Sequence, residues 1–418
     1  MSKILFYVEP HPIRDSMTHF SDVLDNVSSL FLHPNGNTVK VFSNIQTLDK
    51  IADKGFIPPD WLLPPSKKQQ DFFESQLVDW TTEGIDRWVQ LLTGGEICEK
   101  YIKILEWLYS TYQFEYIFFW GTNYSVKKFA KLNNIKQVSL ELGCSRHPFE
   151  NTLVADPEGV NGNSFLCNVS VEDLPESSSY NWLTEMILRN QIIYQDGFKY
   201  SVSEEIIKAS KRKTVFIPLQ LFDDANLLVF SPFSSLKEFL AACLPKLLDE
   251  GFFCIIKEHP GSKFRHGAYE SNQEAKLYAL SLSLSDIMWI DCFENSISNC
   301  LLYSISDLVV TNNSSSGFEA LLYKLPVVIL GDAVYKLKHI FPTLEEAVKL
   351  KYDLHNYQKN IEKLLTFFFN HYLIPSESGK NSLALIEYLK KIGDMSTINT
   401  SDNRMFLDYY CQVDAADI

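Results

Sequence analysis

The stretch TVFIPLQLFDDANL, residues 214–227, contains a strand-like run that is followed at once by polar side chains. Residues 215–219 are apolar apart from the proline and predict a buried strand, after which come Gln220, Asp223 and Asp224. Removing a carboxylate from water just beyond a core strand costs free energy, so such a group is expected to stay solvated or to have a functional partner. We therefore predict that this strand begins a folding unit and that its polar end has a role.

Strand-like and helix-like segments alternate on both sides of this stretch. From residue 214 onward the predicted strands are 214–219, 252–257, 287–290, 307–311 and 326–330, and the predicted helices are 234–249, 270–283, 296–304 and 317–323. Before it, strands are predicted at 3–8, 38–43, 116–120 and 137–140, and helices at 96–113, 124–133 and 181–210. This alternation is typical of a parallel sheet with helices on both faces.

The alternation falls into two halves with a boundary near 205–212. We predict an α/β fold of two Rossmann-like domains that face a central cleft. The predicted ranges are an N-terminal domain at 1–208, a C-terminal domain at 209–394 and a polar tail or linker at 395–418. Ligands of such sheets bind outside the carboxyl ends of the strands, so the cleft is expected to hold the functional site.

Composition disfavours several classes of protein. The 418 residues have a formal net charge of −14 and no basic stripe, which disfavours nucleic acid as a partner. No apolar run is long enough for a membrane span, so we expect a cytoplasmic protein, with peripheral attachment at the inner membrane left open. Eight dispersed cysteines without a C-x-x-C pair predict neither a zinc site nor disulfides. G-x-G-x-x-G, Walker A and D-x-D sequences are all absent, which disfavours NAD enzymes, P-loop kinases and transferases that bridge a nucleotide sugar through a metal.

Polar groups follow four of the predicted strands. They are ELG (141–143), QLFDD (220–224), KEHPG (257–261) and NNSSSGFEA (312–320). Within each half, the carboxyl ends of parallel strands meet at one edge of the sheet. If the halves face each other, all four groups converge on the cleft.

The serine turn predicts an anion site. Ser314, Ser315 and Ser316 supply hydroxyls and backbone N–H groups at a helix N-terminus, which favours a phosphate, the alternative being an ordinary N-cap. Glu319, one turn further on, would accept hydrogen bonds from a ribose or lie in solvent.

The KEHPG group would act on the same phosphate. His259 or Lys257 would hold or protonate it as it departs, the alternative for His259 being a structural role.

Carboxylates in the two halves predict glycosyl chemistry. Glu141 follows the strand 137–140 and is a candidate acid/base, the alternative being a carboxylate that caps the next turn. Asp223 or Asp224 lies at the first strand end of the second half. Two carboxylates that flank a sugar carbon can serve as nucleophile and acid/base.

The same blocks carry a resemblance to a known family. They are E-x-G (Glu141, Gly143), DPEGVN (156–161), Q-x-x-x-D (Gln220, Asp224), K-x-H-P (Lys257, His259, Pro260) and NSSSGFEAL through VVILGDAVY (313–335). In order and spacing they are similar to motifs of bacterial β-Kdo transferases of the capsule-polysaccharide (Kps-type) and O-antigen superfamily. Kdo is an acidic eight-carbon keto-sugar. The E-x-G, His-Pro and Ser-Ser elements also resemble those of bacterial sialyltransferases.

The resemblance implies a GT-B glycosyltransferase that needs no metal and transfers β-Kdo from CMP-Kdo to a glycan acceptor with retention. The acceptor would be a lipopolysaccharide O-antigen or a capsule linker, bound by the first domain, and other glycosyltransferase modules would follow residue 395. Asp224 would be the nucleophile, with Asp223 capping the loop or meeting solvent, and Glu141 would be the acid/base, with Asp156 or Glu158 next in line. The second domain would hold CMP through Gln220, Lys257, His259, Asn313, Ser314, Ser315, Ser316 and Glu319.

Three alternatives remain at this point. A sialyltransferase-like enzyme would use another CMP-activated nonulosonic acid, since no motif specifies the tail of the keto-sugar. A nucleotide-sugar epimerase shares the two-domain plan but needs no acceptor. A non-catalytic nucleotide-binding module of a polysaccharide assembly complex has no need to keep Glu141, Asp224 and His259 together.

Overall fold

The protein was analysed as a computed structural model that describes residues 1–146, 149–175, 209, 211–294, 297–398 and 403–412. The chain divides into two compact units. Unit 1 comprises Met1–Gly143, Asn151–Phe165 and Phe369–Ile418, and unit 2 comprises Cys144–Glu150 and Leu166–Phe368. The predicted helix at 181–210 lies outside the described residues, apart from Ala209.

The strands are numbered in chain order. They are β1 (Lys3–Tyr7), β2 (Thr38–Phe42), β3 (Leu62–Leu63), β4 (Tyr116–Trp120), β5 (Lys136–Leu142), β6 (Thr152–Asp156), β7 (Thr214–Pro218), β8 (Phe253–Lys257), β9 (Ile287–Ile290), β10 (Leu308–Thr311), β11 (Val327–Ile329) and β12 (Leu373–Pro375).

The α-helices of the described residues are numbered in the same way. They are α1 (Ser29–Leu32), α2 (Ile45–Ala52), α3 (Lys67–Glu74), α4 (Ile85–Thr93), α5 (Cys98–Tyr112), α6 (Tyr124–Asn133), α7 (Ala225–Leu228), α8 (Leu236–Asp249), α9 (Ala268–Leu282), α10 (Asn299–Ile305), α11 (Ser315–Leu322), α12 (Leu344–Val348), α13 (Leu354–Phe367), α14 (Ser376–Asn381), α15 (Leu385–Met395) and α16 (Arg404–Gln412). Among the residues described, no helix combines the length and the apolar character that crossing a membrane requires.

Unit 1 is built on a seven-stranded sheet in the order β12-β6-β5-β4-β1-β2-β3. The strands from β5 to β3 in this order pair in parallel, whereas β6 and β12 are antiparallel additions at one edge. β1 lies inside the sheet, and its last four residues are buried, as expected for a continuous apolar run covered on both faces. The sequence did not predict β6 or β12.

Unit 2 is built on a five-stranded parallel sheet in the order β11-β10-β7-β8-β9. Its core is made of side chains such as Val215, Ile217, Leu240, Ile256 and Val310, all 0% exposed. Each of the five strands predicted from residue 214 onward is present. The predicted α/β class, with two Rossmann-like units as in GT-B proteins, is confirmed.

The predicted domain ranges need correction at the C-terminal side. Residues from 369 onward, assigned by the sequence to the second domain and to a polar tail, belong to unit 1. β12 pairs with β6, with Leu373 opposite Val154, and α15 packs against β5.

The segment predicted as a tail contains helix α16. Its side chains Phe406, Leu407 and Tyr410 are buried, and the Tyr410 hydroxyl donates to the Ala155 carbonyl. These apolar residues fall on one helical face within a mostly polar segment, so the average composition conceals them.

Candidate functional site

Three of the predicted polar groups meet at the carboxyl edge of the unit 2 sheet. β10, β7 and β8 are neighbours, so the serine turn, QLFDD and KEHPG follow adjacent strands. The strand order reverses between β7 and β10, the kind of switch point at which open α/β sheets bind ligands. At this point the Asn313 backbone N–H donates to Gln220 Oε1 at 3.4 Å.

Asn313 holds the serine turn against the segment after β7. Its Nδ2 donates to the carbonyls of Asn226, at 2.8 Å, and Phe230, at 2.9 Å. The side-chain amide is thus used within the protein, which gives Asn313 a positioning role that sequence reasoning did not predict.

Asn312 was missed by the sequence prediction. It is 3% exposed, and its Oδ1 has no hydrogen-bond partner among the residues that the structure describes. A buried amide oxygen without a partner is rare, and here it lies at the switch point.

The two adjacent aspartates have opposite surroundings. Asp224 is half-buried and caps α7, since its Oδ1 accepts from the Asn226 backbone N–H at 2.8 Å. Asp223 is 0% exposed, and its Oδ2 lies 3.5 Å from Arg265 Nη1. The expectation that Asp223 caps the loop or meets solvent is therefore wrong. Asp224 is the capping residue, and the chain buries Asp223 beside a guanidinium group.

This pairing predicts a stability effect. Asp223→Ala is expected to lower the free energy of unfolding by roughly 3 kcal/mol, because Arg265 is only 21% exposed and its buried Nη1 atom would lose its counter-charge. Urea denaturation measures the change. As a control, Glu274→Ala removes the exposed ion pair with Lys237 and should cost at most about 1 kcal/mol. Equal losses in the two variants would contradict a buried structural pair.

One ring nitrogen of His259 accepts a hydrogen bond within the protein, and the other can donate one to a ligand. It caps the short 3₁₀ helix Pro260–Phe264, and its Nδ1 accepts from the Gly261 backbone N–H at 2.9 Å. Burial lowers the pKa of His259, while the charge of Asp224 opposes this shift. A neutral His259 therefore carries its proton on Nε2 and can donate a hydrogen bond there.

The three serines have different surroundings. Ser314 caps α11, with its Oγ accepting from the Ser316 backbone N–H at 3.2 Å, so the ordinary N-cap alternative holds for this residue. Ser316 Oγ accepts from Asn299 Nδ2 at 3.4 Å. The Ser315 side chain has no hydrogen bond to any residue in the described part of the chain and remains available to a ligand.

Lys257 and Glu319 are more enclosed than the sequence suggested. Lys257 Nζ donates to the Ile297 carbonyl at 2.7 Å and to Asn299 Oδ1 at 2.9 Å, and burial lowers its pKa to about 8. Glu319 is 7% exposed and accepts from the Tyr303 hydroxyl at 2.9 Å, and burial raises its pKa to about 7. Glu319 does not lie in solvent, and Lys257 supports the segment before α10.

Glu141 lies in unit 1, near the end of β5. Its Oε1 accepts from the Leu142 backbone N–H at 2.9 Å, and it lies beside Gly121, where a Cβ atom would be 3.7 Å from Glu141 Oε2. Packing against β6 explains why position 143 of the E-x-G motif is a glycine. A Cβ atom there would lie 2.2 Å from Thr152 Oγ1 on β6.

Asp156 of the DPEG block is a structural residue. It is 0% exposed and accepts hydrogen bonds from the backbone of Glu158 and Gly159 and from the hydroxyls of Ser164 and Tyr372. These contacts occupy both carboxylate oxygens. Asp156 is therefore not the substitute acid/base that the sequence suggested.

Two Rossmann-like units with polar side chains at the carboxyl ends of their strands define the GT-B class of α/β protein. Residues 176–347 match the family described as "Capsule polysaccharide biosynthesis protein". The match confirms the capsule-polysaccharide resemblance over this part of the chain. No curated protein sequence matches the chain.

Several solved structures are similar to the chain. A Thermosulfurimonas dismutans KpsC β-Kdo 2,7 transferase has 16% identity and a TM-score of 0.39, with 93% of this chain and 99% of that chain covered. The β-Kdo 2,4 transferase of the same KpsC has 17% identity and a TM-score of 0.41, covering 66% and 87%. A Neisseria meningitidis UDP-GlcNAc 2-epimerase has 15% identity and a TM-score of 0.37, covering 93% and 100%. The similar structures thus include both transferases and epimerases.

Among the described residues, no cluster of three or more His, Cys, Asp or Glu side chains could hold a metal ion.

Proposed function

We propose that the protein is a retaining glycosyltransferase that transfers β-Kdo from CMP-Kdo to a glycan acceptor of a capsule linker or an O-antigen. One observation carries the proposal. Asp224 and His259 follow the adjacent strands β7 and β8, at the same sheet edge as the serine turn, and the charge of Asp224 opposes the lowering of the His259 pKa by burial. A nucleophile, a hydrogen-bond donor and an anion site are the groups that a double displacement on a CMP-sugar requires.

The phosphate of CMP is assigned to the N-terminus of α11. The backbone N–H groups there and the Ser315 hydroxyl would donate to it, and His259 would donate from Nε2. Asn313 and Gln220 hold this turn in place through hydrogen bonds within the protein. Asn312 Oδ1 would accept a hydrogen bond from a hydroxyl or amino group of CMP-Kdo.

The transfer proceeds in two displacements. A carboxylate oxygen of Asp224 attacks the anomeric carbon, the bond to the phosphate oxygen breaks, and CMP leaves with that electron pair, stabilised by the His259 hydrogen bond. The acceptor hydroxyl then attacks the same carbon, loses its proton to Glu141 and releases the Asp224 carboxylate. Two inversions at one carbon give net retention.

Incubation with CMP-Kdo, with and without glycan acceptors, tests the activity. Transfer in the presence of EDTA, with β-configured product, supports the proposal. Consumption of CMP-Kdo without any need for acceptor would favour an epimerase or hydrolase, and transfer of another CMP-nonulosonic acid in its place would favour the sialyltransferase-like alternative. Nucleotide binding without turnover would favour a non-catalytic module.

Ser315→Ala is expected to weaken CMP binding by roughly tenfold, because one charge-assisted hydrogen bond to the phosphate is lost. Isothermal titration calorimetry with CMP measures the loss. Ser281→Ala is the matched control, since that hydroxyl is bonded to the Tyr278 carbonyl on α9 and should leave the affinity unchanged. Wild-type affinity in Ser315→Ala would place the phosphate elsewhere.

A further inference from the structure

The carboxyl edge of the unit 1 sheet contains a polar cluster that the proposed reaction leaves unused. β2 and β3 follow β1 on one side and β4 and β5 lie on the other, so the strand order reverses between β1 and β4. Open α/β sheets bind ligands at such a point. Glu9 follows β1 there, Thr122 and Asn123 follow β4, and Ser43 follows the neighbouring β2.

Glu9 is a buried carboxyl group without a cation. It is 8% exposed, its Oε1 accepts from the His11 backbone N–H at 3.1 Å, and its Oε2 accepts from Asn123 Nδ2 at 2.6 Å. Across the described ranges, no lysine or arginine forms an ion pair with it. Burial raises the pKa of Glu9 to about 7, so near neutral pH the group can both accept and donate hydrogen bonds.

The hydroxyls of Thr122 and Ser43, like that of Tyr7 at the end of β1, have no hydrogen-bond partner among the described residues. Thr122 is 6% exposed and Ser43 is 0% exposed. Burying a hydroxyl without a partner is unfavourable, and most buried polar side chains have one. Thr122 adjoins Asn123, which donates to Glu9. Asn44, next to Ser43, donates to the Pro10 carbonyl at 3.0 Å, so both hydroxyls lie on segments tied to the loop after β1.

The cluster adjoins the residue proposed as acid/base. Gly121, which immediately precedes Thr122, has a φ of +71° and lies beside Glu141, as described above. A ligand bound at Thr122 would therefore lie next to Glu141.

We propose that Glu9, Thr122 and Ser43 form a binding site for the hydroxyl groups of a neutral sugar, adjacent to Glu141. Sugar hydroxyls fit because each one donates and accepts a hydrogen bond, as the side chains of this site do. An anionic ligand is disfavoured, because no lysine or arginine of the described residues forms an ion pair with Glu9 and offsets its carboxylate. The identification of this sugar as the acceptor of transfer rests on the proposed function, whereas sugar binding does not.

Saturation-transfer difference NMR with the methyl β-glycosides of glucose, galactose and N-acetylglucosamine tests the site. We expect wild-type protein to transfer saturation to at least one of them. Thr122→Val and Ser43→Ala should each weaken that binding about five- to tenfold, the effect of one lost neutral hydrogen bond. Because each change removes an unpartnered hydroxyl, both variants should melt at the wild-type temperature or above it.

Tyr388→Phe is the matched control. It removes another buried hydroxyl of unit 1 that has no hydrogen-bond partner in the part of the chain described, and it lies on α15. Sugar binding should be unchanged. The proposal is overturned if no glycoside receives saturation, if Thr122→Val and Ser43→Ala bind like wild type, or if both melt well below it. The binding assay contains no CMP-sugar, so it tests sugar binding even if the protein proves not to be a Kdo transferase.

Discussion

Asp224→Asn is expected to lower the rate of Kdo transfer by a factor on the order of 10⁴ or more, with CMP affinity close to that of wild type. The amide is a far weaker nucleophile than the carboxylate and cannot form the glycosyl ester. The cap of α7 should survive, because the Asn oxygen can still accept from the Asn226 backbone N–H. Transfer assays with CMP-Kdo and calorimetry with CMP measure the two quantities.

The covalent ester between Asp224 and Kdo is a more direct observable than the transfer rate. Wild-type protein mixed with donor alone should gain the mass of one Kdo, and Asp224→Asn should gain none. Asp223→Asn is the control, because that side chain pairs with Arg265 and is expected to affect stability more than chemistry. A labelled peptide that carries the sugar on Asp223, or an inverted product, would contradict the role given to Asp224.

The sequence predicted the unit 2 sheet well for a physical reason. Its strands are short apolar runs buried on both faces, and amphipathic helices separate them, so each element has a local signature. β6 and β12 lack this signature. β12 pairs with β6 across more than two hundred residues of chain, a contact that no local pattern encodes. β6 is an antiparallel neighbour of β5, outside the alternation of parallel strands and helices on which the prediction relied. The return of the chain to unit 1 after residue 369 was missed for the same reason.

The candidate site was predicted in part. Parallel topology alone implies that groups after neighbouring strands meet, and the structure brings Gln220, Asp224, His259 and the serine turn to one edge. The sequence could not show which of the two adjacent aspartates is buried, because Asp223 is paired with Arg265, a residue far from it along the chain.

Glu9 could have been found from the sequence. Glu9 directly follows the first predicted strand of its unit, just as QLFDD follows the first predicted strand of unit 2. It was overlooked because the nearby His-Pro pair recurs elsewhere in the chain and was treated as uninformative.

Glu141→Gln is expected to retain CMP affinity and to lower transfer by a factor of roughly 10²–10⁴, the usual contribution of a general base. In the proposed scheme only the second displacement needs Glu141, because only that step removes a proton from the acceptor. The first displacement should therefore still occur. Intact-protein mass spectrometry should show the Kdo adduct persisting in Glu141→Gln when acceptor is present, whereas acceptor should discharge it in wild type.

This difference separates Glu141 from residues that merely shape the edge of the sheet. A packing defect beside Gly121 would slow both displacements or weaken folding, and it would not make the adduct accumulate. Glu106→Gln is the matched control, since that side chain is exposed and lies on α5 in the same unit. It should transfer at the wild-type rate. Should Glu141→Gln discharge its adduct as fast as wild type, another group accepts the proton. The next residues to replace are Glu158, the alternative predicted from the sequence, and Glu9, which lies at the same sheet edge and has a pKa raised by burial to about 7.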